Sequence, residues 1–329
     1  MNKHRKLAFD YLRIIATILV IGVHAIGSLE EYIPVTGAVR LEYSLLSRLN
    51  TLGVPVFFAM SGYFTLGKKI DSLKDFYVQR FKRVLIPYLF YAFIYVVYFV
   101  GIEDKTPARI PLEYFKRLIE GKVHPTHWFI YTIISLYFIA PFLQKILMTS
   151  SRIEKRVFIL GCMGFNVAVE LLNQLGVQIA INGLFFNGTA ILCFLIGGWI
   201  NCDGIEENSF FTKMFITISS IALLFYEITG IGALISWIVL GTIMLAHMMT
   251  KNSGVFLGRI SNQTYSVYLL HAAMISALLK VIPFSVKKIG WQMVAFVIVV
   301  FAATLLASIL FDACTWKLLQ KELNKNGKN

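Results

Sequence analysis

Two side chains in the stretch FDYLRIIATILVIGVH, residues 9–24, stand out from an otherwise apolar run: Arg13 and His24. An imidazole titrates near neutrality, so it can take up a proton and return it. It can also accept a transferred group on nitrogen. A guanidinium offers a rigid fork of donors that fits the paired oxygens of a phosphate or carboxylate. Eleven residues carry a helix about 20° past three full turns and roughly 16 Å along its axis, so the two side chains share one face. Asp10 lies three residues before Arg13, on the side where it can pair with it. A charge within a membrane span costs at least ~2.5–3.5 kcal/mol on insertion scales, and such charges usually face a cavity or serve a function. The alternative is a snorkelling Arg13 and a His24 bonded to a neighbouring helix.

Further groups of the same kind occur along the chain. Arg80 and Arg83 are one helical turn apart with Lys82 between them, just before an apolar run. They offer the phosphate-matching fork, although such clusters also set membrane topology. His127 and Trp128 open one apolar run, and His271 lies inside another. His271 can line the same cavity as Arg13 or bond a neighbouring helix. Glu170 and Glu227 end two more runs. A carboxylate beside His24 would orient its ring and stabilise the imidazolium, and either glutamate is a candidate. The histidines lack metal-ligand spacing such as HExxH. The four cysteines, Cys162, Cys193, Cys202 and Cys314, form no CxxC pair, so neither a zinc site nor a disulfide framework is expected.

The elements that must position these groups are membrane helices. The 329 residues are 57% hydrophobic and 15% charged, with a mean hydropathy of +0.69. A soluble domain carries roughly 25% charged residues. Ten apolar segments are near the ~20 residues a helix needs to cross hydrocarbon: 8–28, 49–67, 84–102, 127–147, 157–173, 184–201, 211–229, 231–250, 264–282 and 291–315. The break between the seventh and eighth rests on Gly230 and Gly232. With the N-terminus inside, 20 basic residues fall in the cytoplasm and 10 outside, with Arg13 within a span. That asymmetry places both termini in the cytoplasm, His24 toward the outer half of the first span and Arg13 toward the inner half. The net charge of +13 belongs to these clusters between spans, which excludes nucleic acid as its explanation. A cleaved signal peptide is opposed by Asp10 and Arg13 within the first segment and by nine further spans. The expectation is an all-α polytopic membrane protein, one domain over 1–329.

Arg13 and His24, ten residues between them in the first span, resemble the signature of the acyltransferase-3 family of integral membrane O-acyltransferases. Four more stretches are similar in family order: GVPVFFAMSGYF (53–64), QRFKRVLIPY (79–88), HWFIYTIISLYFIAPFL (127–143) and ISNQTYSVYLLH (260–271). The resemblance is to the membrane-only form of the family. It implies transfer of an acyl group, usually acetyl, from acyl-CoA to a hydroxyl of an envelope sugar, polysaccharide or lipid-linked glycan. His24 would be the general base or would carry the acyl group itself. Arg80, Arg83 and Lys82 would hold the phosphates of acetyl-CoA, with His271 on the same side. Arg13 would reach the pantetheine arm or the carbonyl, unless its role is to pair with Asp10. His127, Trp128 and Glu170 or Glu227 would face the acceptor, with Trp128 stacked on a sugar ring or serving in an aromatic belt. The implied partners are acyl-CoA, the glycan and the lipid bilayer, in a bacterial cytoplasmic membrane and with no metal; the oligomeric state is left open. A transporter or flippase for an envelope sugar or lipid is the rival reading. It is weakened by prolines that break the second, third and fourth spans (Pro55, Pro87 and Pro141) without counterparts in the later half.

Overall fold

A computed structural model describes residues 6–30, 38–103, 105–177, 189–203, 209–249, 251–283 and 289–311. Cys314, Lys3, His4, Arg5 and the lysines of the C-terminal tail lie outside them. The described chain is helical, with no strand and one isolated bridge between Lys6 and Asn252. Seven helices are long and apolar enough to cross a membrane: Leu7–Leu29, Arg40–Leu66, Leu73–Gly101, Pro125–Thr149, Arg152–Gln174, Phe210–Thr229 and Trp291–Phe311. Thr189–Asp203 and Gly232–Met248 are shorter apolar helices. Val255–Leu279 has the length but carries Arg259, Asn262, Gln263 and His271 along it.

The helices in chain order are α1 (Leu7–Glu30), α2 (Ala38–Thr51), α3 (Gly53–Leu66), α4 (Leu73–Arg80), α5 (Ile86–Val96), α6 (Ile110–Ile119), α7 (Trp128–Thr149), α8 (Arg152–Gln174), α9 (Thr189–Asp203), α10 (Phe210–Thr229), α11 (Ile235–Met248), α12 (Val255–Leu279) and α13 (Ile289–Phe311). The expected break after the seventh span is present. Gly230 ends α10 in the left-handed region at φ 74°, and a short 3-10 turn over Gly232–Leu234 starts the next helix. Two helices fall where only connections were expected. Helix α2 precedes the second apolar segment, and α6 is an amphipathic helix whose Leu112, Phe115 and Ile119 are all exposed. Neither has the continuous apolar length that identifies a span, so a search for spans passes over them.

Prolines shape the helices differently from what their apolar surroundings suggest. Pro55 sits in the first turn of α3, where a missing N–H costs nothing. Pro87 follows a π turn at Phe81–Leu85, in which the Ile86 N–H reaches back to the Phe81 carbonyl. Pro141 lies inside α7.

The tightest crossing is α3 on α9. A Cβ added at Gly62 would overlap the Phe194 carbonyl oxygen, and one at Gly197 would overlap that of Ala59. Small residues let two backbones meet where lipid offers no hydrophobic drive for association. Beside this crossing, a buried Lys155–Asp203 ion pair ties α8 to α9, and the Trp199 indole N–H donates to Asp203 at 2.9 Å. Helices α1 and α12 run side by side in the same direction. The Leu7 N–H donates to the Lys251 carbonyl at 2.8 Å, the Ser261 hydroxyl donates to Asp10, and the His24 and His271 rings meet further along.

Replacing Gly197 by leucine pits a side chain against backbone, which cannot shift as a rotamer can. The cost should exceed the ~1–3 kcal/mol of ordinary overpacking, and no monodisperse protein should be recovered in detergent. Gly164 in α8 has open space around its Cβ position. Gly164→Ala should raise stability by about 0.5–1 kcal/mol by relieving backbone entropy. Thermal unfolding in detergent reads both, and a Gly197→Leu protein that melts like wild type would refute the packing argument.

Candidate active site

The site is built on one face of α1. Asp10 is fully buried, and its carboxylate accepts a hydrogen bond from the Ser261 hydroxyl of α12 at 2.6 Å and pairs with Arg13 at 3.6 Å. Arg13 keeps part of its surface open, with its guanidinium 5.0 Å from the Phe64 ring centre. It lines a cavity of about 230 Å³ together with Arg80, Ser61, Thr65, Tyr137 and Tyr268. Arg80 enters this cavity from the end of α4. It donates to the Thr65 hydroxyl at 2.9 Å and lies 4.5 Å from the Tyr137 ring centre. Among the described residues Arg80 has no ion pair, and Asp10 is the carboxylate paired with Arg13. Two guanidiniums therefore face one small space, with Asp10 as the carboxylate that offsets them among the described residues. That is an anion-attracting arrangement.

Arg83 and Lys82 do not line this cavity; both are exposed on the π turn that follows Arg80. The sequence spacing would put Arg80 and Arg83 on one α-helical face. A π turn takes more residues per revolution, so residues three apart across it diverge. The Tyr265 hydroxyl of α12 donates to the Val84 carbonyl at 2.9 Å and holds this turn against the bundle.

Toward the far end of α1 lies a cluster of imidazoles. His24 is half-buried, with its ring 5.2 Å from that of the fully buried His271. The His271 Nδ1–H donates to the Tyr268 carbonyl. His127 is fully buried between the rings of Tyr88 and Tyr95, 5.6 Å and 4.8 Å away. The fourth member, His124, is one that sequence reasoning missed. Its ring is 5.7 Å from His127, and its Nδ1 accepts from the Thr126 N–H at 3.3 Å, which caps the turn Pro125–His127. The run His-Pro-Thr-His held the signal, because a tight turn brings residues three apart together. Among the described residues no set of three or more metal-ligating side chains converges on a point.

Among the described residues neither candidate glutamate bonds His24. Glu170 accepts from the Gly232 and Ala233 N–H groups at 2.8 Å and 2.7 Å, so it caps the turn that leads into α11. Unsatisfied amides at a helix start, together with the helix dipole, hold an anion well. Glu227 lies in the last turn of α10, where Arg48 donates to the Glu227 and Ile228 carbonyls. Among the described residues no hydrogen bond or ion pair joins a carboxylate to His24. Trp128 is half exposed at the start of α7, its ring 6.4 Å from that of Phe58.

Arg13 and His24 share a helix, but of the two only Arg13 lines the cavity. Its walls include Phe129, Thr264 and Tyr268. Tyr268 is a partition between the two groups in that it lines the cavity and its ring stands 5.5 Å from the His271 ring. Its hydroxyl donates to the Thr126 carbonyl and its ring packs 5.4 Å from Phe129.

His124 precedes the span that begins at Pro125. Burial, and then the neighbouring His24, push its imidazole down to about 4. The unfolded chain binds that proton near 6.5, so the stability tied to a neutral His124 is present above that pH and is lost as pH falls toward 4. The unfolding temperature in detergent should fall between pH 7 and pH 5, and His124→Gln should flatten part of the fall. A variant with an unchanged slope would contradict the assignment.

No curated protein and no solved structure matches the chain. The acyltransferase domain family, Acyl_transf_3, matches residues 6–313, a stretch that takes in Arg13, Arg80 and the whole imidazole cluster, and the chain thus belongs to that family of membrane acyltransferases.

Proposed function

We propose that the protein transfers an acetyl group from cytoplasmic acetyl-CoA to a hydroxyl of an envelope sugar, polysaccharide or lipid-linked glycan. It would do so in a bacterial cytoplasmic membrane, with both termini in the cytoplasm. The observation that carries this reading is that Arg13, on the helix that bears His24, lines one narrow cavity with Arg80 of α4. The donor brings phosphate charges and a thin arm. Two guanidiniums offset by a single carboxylate suit the charges. At about 230 Å³ the space is below the ~300–1,000 Å³ of pockets that enclose a drug-sized ligand, so it fits a chain rather than a nucleotide. The nucleotide would stay outside, where Arg83 and Lys82 are exposed on the turn after Arg80.

The arm lies against Arg80 and Arg13 and passes Tyr268 to bring its thioester to His24. In one route His24 takes the proton of the acceptor hydroxyl, the oxygen attacks the thioester carbonyl, and the carbon–sulfur bond breaks. The imidazolium then returns the proton to the coenzyme A thiolate. In the other route a His24 nitrogen attacks the thioester carbonyl, the carbon–sulfur bond breaks and the thiolate leaves with the imidazole's proton. The acceptor oxygen then attacks the acetyl-imidazole, the carbon–nitrogen bond breaks and the hydroxyl proton returns to His24. The half-exposed Trp128 offers an aromatic face on which a sugar ring would stack.

His24→Ala should lower coenzyme A release from acetyl-CoA by about 10²–10⁴-fold, the range that general base catalysis supplies. Arg80→Ala should raise the KM for acetyl-CoA with a smaller change in kcat, because it acts on the bound donor. Labelled acetyl retained on wild-type protein without acceptor, and absent from His24→Ala, selects the acyl-carrier route. Wild-type turnover by purified, folded His24→Ala would end this reading.

A further inference from the structure

We propose that His271 is the positioning residue for His24, accepting a hydrogen bond from it in the place where a carboxylate was expected. The inference rests on the reading of His24 as the catalytic base or acyl carrier.

The tautomer of His271 follows from its partner. A carbonyl oxygen can only accept, so the Nδ1 that meets the Tyr268 carbonyl must carry the hydrogen. The lone pair is then on Nε2. That atom is buried and has no hydrogen-bond partner among the described residues. A buried acceptor left unpaired costs about 1–3 kcal/mol, so its retention calls for a donor.

The neighbours of His271 narrow the choice of donor. The Tyr268 hydroxyl is given to the Thr126 carbonyl. The Tyr95 hydroxyl accepts from the Ala273 N–H, and its ring packs against His124 and His127. His127 and His124 belong to the same group of imidazoles, but His24 is the imidazole whose ring packs against that of His271, at 5.2 Å and an interplanar angle of 39°. At that spacing a modest ring rotation brings a His24 N–H onto the His271 Nε2.

The chemical consequence is specific. If one His24 nitrogen donates to His271, the other carries the lone pair and is the nitrogen that meets the hydroxyl or the thioester. When His24 gains a proton or an acetyl group, its charge develops against a neutral acceptor already in place. The Tyr268 carbonyl thereby fixes both rings in series, as partners beyond the first ligand do for metal-bound histidines. Tyr268 thus acts twice, with its ring as the partition and its carbonyl as the anchor.

Two substitutions test this in the purified full-length protein, with acetyl-CoA as donor and an envelope glycan extract as acceptor. His271→Gln keeps a carbonyl oxygen near the former Nε2 position and should retain kcat within about 3-fold. His271→Leu removes the acceptor and should lower kcat by about 10–100-fold, the usual loss on removing such a partner, with the KM for acetyl-CoA unchanged. Equal losses in both variants, wild-type kcat in His271→Leu, or a rise in KM alone would each overturn the assignment. Thermal unfolding of both variants separates a folding defect from lost positioning. A fully active His24→Ala would instead sink the reading of His24 itself. An inactive His24→Ala beside an unimpaired His271→Leu sinks only the pairing.

Discussion

A carboxylate with no exposed surface organises the cationic end of this site. Among the described residues Asp10 accepts from the Ser261 hydroxyl of α12 and pairs with Arg13. Its removal would take this carboxylate from a guanidinium in a membrane span, which is costlier than keeping the pair. Because Ser261 belongs to α12, the same contact that neutralises Arg13 also fixes the register of α1 against α12. That register brings His24 level with His271. The two ends of the site are thus set by one helix pairing rather than by separate local arrangements.

The arginines are held in different ways, and the difference fits their places. Arg13 is offset by a buried carboxylate, while Arg80 has a hydroxyl and two aromatic faces around it. Aromatic faces attract a cation without cancelling its charge. Arg80 therefore keeps its field for an incoming anion, whereas the field of Arg13 is largely balanced. In the proposed reaction this orders the encounter, with the charged head of the donor meeting Arg80 and the uncharged arm lying near Arg13.

Much of the architecture was legible in the sequence because lipid imposes a simple rule, that a span must be long and apolar. The α1 face was legible too, since helical periodicity alone places Arg13, His24 and Asp10. What escaped were features fixed by local geometry or by tertiary contact. The π turn at Phe81–Leu85 separates Arg80 from Arg83, although their spacing reads as one face. Glu170 was expected near His24, but the amides of Gly232 and Ala233 hold it, and those amides are invisible as a partner until α8 and α11 are packed together. Helices α2 and α6 were passed over because amphipathic helices too polar to span leave no long apolar run.

The partition at Tyr268 gives a reason for stretching one site along a single helix. A thioester close to water would be open to hydrolysis, and a cavity continuous from one membrane face to the other would leak protons. Phe129 and Tyr268 are among the walls of the cationic cavity, and none of the four imidazoles is. The hydroxyl of Tyr268 is given to the Thr126 carbonyl, a neighbour of His127 in the turn that starts α7. Displacing the Tyr268 ring would therefore disturb the turn that carries His124 and His127. In the proposed reaction, arrival of the donor arm and rearrangement of the imidazole cluster would be linked through this one side chain. A barrier that yields only to the arm would keep the two membrane faces apart at all other times, which acyl transfer across a bilayer would require.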